Sequence, residues 1–217
     1  MLVEKVRSTA FRRIAVCVRL KAVLRTARGG TANSPATGFQ GVKSMNIHQF
    51  NLHFNPEEDR IIFRLNTFGR EEFRFFFTRR FIKLLWPVLQ QLLDNDLKRR
   101  APETSHVSKA VLEFERETVV SQTNFQQKYV ETPMTYPLGE ASVLLSRIQV
   151  KQVPQGDILC LHPSSGSGIE FMVSNTFLHP FCKLLADTVN KADWNMNLIS
   201  APQMMQIQNP PGAKVLH

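Results

Sequence analysis

The chain has 217 residues, of which 43% are hydrophobic and 21% charged, and its formal net charge is +9 at pH 7. This length suits one ordinary domain or two small domains that share a core. The composition excludes a disordered polyelectrolyte, and no apolar run approaches the roughly 18 residues of a membrane-spanning helix. The three cysteines are odd in number and widely spaced, which favours a reducing compartment, the cytoplasm by default.

The positive charge is concentrated at the amino terminus. Residues 1–44 carry nine Lys or Arg and one acidic residue, whereas residues 45–217 carry eighteen basic and seventeen acidic residues. The chain after residue 44 is therefore close to neutral. The high overall charge is a property of the amino-terminal arm and does not by itself predict a nucleic-acid-binding domain.

We expect residues 1–44 to form a basic, disordered arm outside the fold, and three origins stay open. The arm is typical of an organelle presequence, which would place the protein in an organelle matrix. It could also be a tail that touches nucleic acid or an anionic surface, or an over-long start ahead of Met45. Each origin predicts that a chain beginning at Met45 keeps its solubility and thermal stability.

Apolar residues recur at a spacing of 96 residues. Thirteen apolar positions of the first half match apolar positions of the second, among them Phe63 with Leu159. In both halves a period of two, typical of half-buried strands, changes to the stripe of an amphipathic helix. The change follows Thr78 in the first half and Ser174 in the second, and both hydroxyls are suited to cap a helix amino terminus.

We therefore predict an α+β protein with two tandem β-β-β-α units, a pseudo-duplicate that forms antiparallel sheets with helices packed on one face. The first unit covers residues 45–100 and the second covers residues 142–195. Residues 101–141 are predicted to be a connecting segment with a helix, and residues 196–217 a disordered tail. The alternative is that the two halves are similar α+β segments without a common origin.

Residues that could carry chemistry are scattered along the sequence. His48 and His53 are five residues apart on a predicted strand and so face opposite sides, and neither His162 nor His179 has a Cys or His at a zinc-like spacing. Residues 164–168, Ser-Ser-Gly-Ser-Gly, precede a strand and lack the Lys-Ser/Thr ending of a phosphate loop. We predict no metal site.

The cysteines favour the same conclusion. Cys160 and Cys182 have no neighbouring residue that would activate a thiol, and both are consistent with small apolar fillers of a core. The sequence also lacks the nucleophile-elbow pattern of hydrolases. We therefore predict no catalytic residue and no cofactor, and we expect that the protein is not an enzyme.

Basic and aromatic residues alternate on the outward side of the first predicted sheet. If the strands pair in sequence order, one patch joins seven residues: His53, Arg64, Arg74, Phe76, Arg79, Arg80 and Lys83. Aromatic stacking combined with guanidinium contacts is how single-stranded nucleic acid is held without sequence readout. The alternative is a solvated sheet face whose apolar edge packs on a protein, which the acidic pair Glu71 and Glu72 favours.

The two predicted units, residues 47–93 and 143–189, resemble in layout the duplicated strand-meander-plus-helix proteins of the Whirly and PUR-repeat families. Those families bind single-stranded nucleic acid, so the resemblance implies the same ligand here. It covers layout only, with three predicted strands per unit against four and no diagnostic motif. Residues 72–86 are also similar to segments of small uncharacterised bacterial proteins, a resemblance that implies no function.

These observations favour a non-catalytic binding or assembly module whose partner is another protein or a second copy of the chain. The second hypothesis is single-stranded DNA or RNA binding through five residues of the patch: Arg64, Arg74, Phe76, Arg79 and Arg80. The two hypotheses differ in salt dependence, because phosphate contacts release counterions and apolar contacts do not. Neither involves a membrane.

Overall fold

The structure is a computed structural model that describes residues 16–19, 45–103, 108–129 and 135–198. This part of the chain contains the following strands and helices: β1 Val16–Arg19, β2 Ile47–Asn55, β3 Arg60–Thr67, β4 Glu72–Phe77, α1 Arg79–Arg100, α2 Ser108–Gln122, β5 Val143–Leu144, β6 Arg147–Val153, β7 Gly156–His162, β8 Ile169–Val173 and α3 Asn175–Lys191. The predicted α+β class is confirmed. In the described residues, no helix has both the length and the apolar character needed to cross a membrane.

The strands form two sheets. The first has the order β1-β2-β3-β4-β5 and the second the order β6-β7-β8. All neighbouring strands are antiparallel except β4 and β5, which pair in parallel through Phe75 with Val143 and Phe76 with Leu144. The prediction of antiparallel sheets is therefore wrong for this pair. A parallel neighbour needs a long crossover connection, which the segment that contains α1 and α2 supplies.

The amino-terminal arm contributes to the first sheet. Residues Val16–Arg19 form β1, which pairs with β2 from Val16 opposite Leu52 to Arg19 opposite Gln49. The expectation that the whole arm lies outside the fold is wrong for these four residues. Without β1, the outer edge of β2 would present unpaired backbone N–H and C=O groups, and the pairing with β1 satisfies them. The remainder of the arm lies outside the described residues, as does the expected tail (residues 196–217) from residue 199 onward. The first residues of that tail are described, and Met196 and Leu198 are partly buried against the core.

The first meander, β2 to β4, turns one apolar face inward. The strand register aligns Phe50 with Leu65 and Phe73, and the neighbouring row aligns Leu52 with Phe63 and Phe75. All of these side chains are at most 5% exposed. Because side chains alternate along a strand, the polar residues between them point to the opposite, outward face.

The helices begin where the sequence predicts. The hydroxyl of Thr78 accepts a hydrogen bond from the backbone N–H of Phe81 at 3.2 Å, which confirms the predicted cap. Ser174 precedes α3, but its side chain makes no capping bond, and its Oγ lies 2.8 Å from the Oγ1 of Thr176. The prediction of a Ser174 capping bond is therefore wrong, although α3 begins directly after this residue.

Each long helix contacts the sheet of the other half. On α3, the rings of Phe177 and Phe181 lie 5.1 Å from Phe50 and 5.2 Å from Phe63, respectively, measured between centroids. On α1, Arg99 donates to the carboxylate of Asp157 on β7 at 2.7 Å. The two halves consequently share one core, which contains buried residues of both sheets and of α1 and α3.

The chain passes from one sheet to the other at residues 145 and 146. The N–H of Leu145 donates to the carbonyl of Phe76 in the first sheet at 3.2 Å, and the N–H of Ser146 donates to the carbonyl of His162 in the second at 3.0 Å. Two consecutive amides therefore join the two sheets. This junction fixes the start of β6 beside the end of β7.

The shared core predicts a single unfolding transition for both halves. Phe181→Ala removes a ring that is 1% exposed and should lower the free energy of unfolding by about 3–5 kcal/mol. Phe114→Ala is the matched control, because Phe114 is 71% exposed and its loss should change stability by less than about 0.5 kcal/mol. Urea denaturation followed by far-UV circular dichroism measures both. Two separate transitions, or equal effects of the two variants, would contradict the shared core.

The pairing of β1 changes the expectation for the amino-terminal arm. A chain that begins at Met45 loses the partner of β2 and should melt roughly 2–8 °C lower, which corresponds to about 1–2 kcal/mol at this chain length. A chain that begins at residue 15 keeps β1 and should melt like the full chain. Differential scanning calorimetry compares the three, and equal melting temperatures would argue against a stabilising role of β1.

Candidate functional site

The outward face of the first sheet has a carboxylate at its centre. Cross-strand register places Asn51, Arg64 and Arg74 in one row, with Glu72 in the next row. The Oε1 of Glu72 accepts from Nε and Nη2 of Arg64 at 3.1 and 3.0 Å and from Nε of Arg74 at 2.7 Å. Like charges directly opposite one another destabilise a sheet, and the shared carboxylate offsets this repulsion.

Aromatic rings cover the two guanidinium groups. The Cζ of Arg64 lies 4.5 Å from the ring centroid of Tyr129, and the Cζ of Arg74 lies 4.7 Å from that of Tyr136. Arg74 also donates to the Tyr136 hydroxyl at 3.2 Å and to the carbonyl of Glu140 at 3.0 Å. Glu72 beneath them is only 2% exposed. The centre of the predicted patch is therefore engaged within the protein.

The next row across this face is more apolar. It contains His53, Ile62, Phe76 and Leu144 in direct cross-strand register. Leu144 is 44% exposed, and the guanidinium of Arg60 lies over the ring of Phe76 at 5.2 Å. The Nδ1 of His53 lies 3.2 Å from the Oδ1 of Asn51. The structure thus brings His53 and Phe76 into one row, beside the row of Arg64 and Arg74.

The remaining residues of the predicted patch lie on α1. Arg79, Arg80 and Lys83 are exposed at the start of this helix, and the structure gives them no ion pair with any described residue. Leu84 is adjacent and 54% exposed. We call these four residues the helix-start patch. The first turn of α1 contains no acidic residue, so its positive end faces further positive charge.

The second sheet has its own polar cluster, which sequence reasoning missed. Cys160 and His162 point to the outward face of β7, and Glu170 of β8 is the cross-strand partner of Cys160. The Oε1 of Glu170 lies 3.4 Å from the Nε2 of His162, and both carboxylate oxygens accept from Nζ of Lys151 at 2.9 and 2.7 Å. Burial raises the pKa of the Cys160 thiol, and the Lys151 hydrogen bond lowers the pKa of Glu170.

The residues of this cluster do not have a zinc-like spacing along the sequence. Its residues come from alternate positions of one strand and from a facing position of the next. The available signal was the Cys-x-His spacing on a predicted strand, which places Cys160 and His162 on one face. The third residue, Glu170, is identified only by the register between β7 and β8.

His179, another candidate from the sequence, lies inside the helical layer. It is 2% exposed on α3, and its Nε2 lies 3.9 Å from the Oε2 of Glu115 on α2. Burial lowers the pKa of His179, which favours the neutral imidazole. A buried, neutral imidazole between two helices is suited to packing in the helical layer.

One cleft of about 500 Å³ opens between the start of β2 and the turn that joins β3 to β4. Its walls include Met45, Phe68, Phe73 and Leu138, and the only titratable side chain among them is Glu71. General acid–base chemistry commonly uses a pair of titratable groups in such a cavity. The walls of this cleft do not present such a pair.

Comparison of the chain with family models, curated proteins and solved structures finds no match.

The shared carboxylate predicts a stability effect. Glu72→Gln leaves Arg64 opposite Arg74 without a compensating charge and should lower the free energy of unfolding by about 2–3 kcal/mol, less than for a fully buried pair because both arginines are partly exposed. Glu58→Gln, in the exposed turn between β2 and β3, should have little effect. Urea denaturation of both variants measures the effect. Arg64→Met and Glu72→Gln/Arg64→Met complete a double-mutant cycle, which gives the coupling energy between Glu72 and Arg64. Equal stability of Glu72→Gln and Glu58→Gln would exclude a stabilising role of the shared carboxylate.

Proposed function

We propose that this protein is a non-catalytic binding module that docks an acidic surface of another protein on the helix-start patch. The observation that carries the proposal is the set Arg79, Arg80 and Lys83 beside the exposed Leu84. Cations combined with an accessible apolar side chain match a partner that presents carboxylates around an apolar contact.

The position of these cations is unfavourable for folding. Each positive charge near a helix amino terminus costs about 0.3–1 kcal/mol, because it opposes the helix dipole. Arg79 and Lys83 are also spaced four residues apart, and Arg80 and Lys83 three apart, which places like charges side by side. An acidic partner would remove both penalties. Charges that disfavour the free state and favour the bound state are expected of a recognition surface.

Single-stranded nucleic acid is the second candidate, because the same cations could contact phosphates and the layout resembles the Whirly and PUR-repeat proteins. Two features favour a protein partner instead. The rings of Phe76, Tyr129 and Tyr136 are each covered by an arginine, so they are not free to stack on bases. Residues 45–217 are also nearly neutral, which limits the attraction of phosphates.

We also infer that the two β-β-β-α segments are copies of one ancestral unit, which would make the protein a pseudo-dimer. In support, an offset of 96 residues carries the first residue of β3, Arg60, onto the first residue of β7, Gly156. The same offset carries the first residue of α1, Arg79, onto the first residue of α3, Asn175. The contact of each helix with the opposite sheet is the arrangement expected of two such copies that assemble.

The proposed surface is tested by affinity capture from an extract of the source organism, with bound proteins quantified by mass spectrometry. We expect Arg80→Glu/Leu84→Ser to retain at least about tenfold less of an acidic partner than the unaltered chain, since a loss of 1.4 kcal/mol has that effect. Lys109→Glu, a charge reversal at an exposed residue of α2, is the matched control and should retain the partner.

Fluorescence anisotropy with a labelled 30-nucleotide random single strand distinguishes the second candidate. Binding that falls steeply with salt and is lost in Arg80→Glu would replace the protein partner with nucleic acid. Equal capture by the unaltered chain and by Arg80→Glu/Leu84→Ser, together with no binding of the strand, would overturn the helix-start patch as a binding surface.

A further inference from the structure

We infer that Cys160, His162 and Glu170 form a binding site for a divalent transition-metal ion, with zinc as the best match. The ligand atoms of the three side chains all lie within 4.8 Å of one another on the outward face of the second sheet. This site is separate from the helix-start patch and does not depend on the proposed partner.

The backbone fixes the positions of all three residues. Cys160 and His162 occupy alternate positions of β7 and therefore share a face, and the ladder between β7 and β8 sets Glu170 opposite Cys160. The carbonyl of His162 is held by the N–H of Ser146 at the junction of the two sheets. Ligands anchored on paired strands need only side-chain rotation to reach an ion.

The ligand set suits zinc. Zinc accepts thiolate, imidazole and carboxylate ligands at about 2.0–2.3 Å, so that tetrahedral ligand atoms lie about 3.3–3.8 Å apart. The Nε2 of His162 and the Oε1 of Glu170 are already 3.4 Å apart. Three protein ligands leave a fourth position for water, as in zinc sites that are open to solvent. On binding, the thiol proton passes to water as the sulfur–metal bond forms.

The loop before β8 positions the imidazole. A Cβ at Gly168 would overlap the carbonyl oxygen of Leu161 and would lie 2.7 Å from the Nδ1 of His162. Only glycine lets the backbone pass so close to this side of the ring. The opposite ring nitrogen, Nε2, is the one that faces Glu170. The loop therefore directs one defined nitrogen toward the cluster.

Access to the cluster is asymmetric. The Cys160 residue is fully buried, whereas the side chains of His162 and Glu170 are 22% and 28% exposed. An ion would thus bind with the sulfur beneath it and water above it. Lys151 provides the positive charge beside Glu170 in the absence of an ion, and its side chain is 49% exposed, so it can move into solvent.

Cobalt(II) titration of the reduced full-length protein, after removal of metals with a chelator, tests the site. One equivalent of cobalt should produce a thiolate-to-cobalt charge-transfer band in the near ultraviolet, and zinc should abolish it by displacement. His162→Gln and Glu170→Gln should each weaken cobalt binding at least about tenfold. Lys151→Met should strengthen it, because a competing cation is removed.

The cysteine variants identify the sulfur ligand. Cys160→Ser should remove the band, whereas Cys182→Ser and Cys17→Ser should keep it. Cys182 is the matched control, because it is a buried thiol on α3 and not part of the cluster. Circular dichroism melting shows that each variant is folded. A band that survives Cys160→Ser, or a folded, reduced protein that binds neither cobalt nor zinc, would overturn the site.

Discussion

The contact of α3 with the first sheet is the interaction on which the remainder of the structure depends. The rings of Phe177 and Phe181 close over Phe50 and Phe63, and no polar group of these side chains needs a partner. Burial of a phenylalanine contributes about 1.5–3 kcal/mol, so the burial of these four rings is comparable in size to the net stability of a typical domain. Because the covering helix belongs to the other half of the chain, neither half encloses its apolar face alone.

The contact of each helix with the sheet of the other half determines which residues lie on the outward faces of the sheets. With both inward faces committed to the common core, the polar residues of each meander are brought together on the opposite side. In the first sheet they form an internally compensated cluster around Glu72, in which guanidinium groups are held by a carboxylate and by tyrosine rings. In the second sheet the corresponding face holds Cys160, His162 and Glu170. Among the described residues, no aromatic ring lies over a cation of this cluster.

The cations therefore fall into two groups with different physical roles. Arg64 and Arg74 stabilise the sheet, because their charge is neutralised and their rotamers are fixed by several contacts. Arg79 and Arg80 stabilise nothing that the structure describes and oppose the dipole of the helix that carries them. From the sequence alone, all four are predicted to lie in one patch. The spacing along the chain shows which residues are charged and which face they share, but it does not show which charges are neutralised by an ion pair.

The sequence by itself determined the order of the elements in the two halves, the inward face of β3 and β4, and the start of α1 at Thr78. These features depend on residues within a few positions of one another, through side-chain alternation, helical periodicity and the capping hydroxyl. Only the tertiary structure decided that β1 pairs with β2, that β5 runs parallel to β4, that α3 covers the first sheet, and that Glu170 reaches Cys160. The first three of these depend on which distant segments become neighbours, and that choice is made by the burial of apolar area over the whole chain, which no local pattern encodes. The contact of Glu170 with Cys160 depends instead on the register of two consecutive strands, which the geometry of the turn between them helps to set.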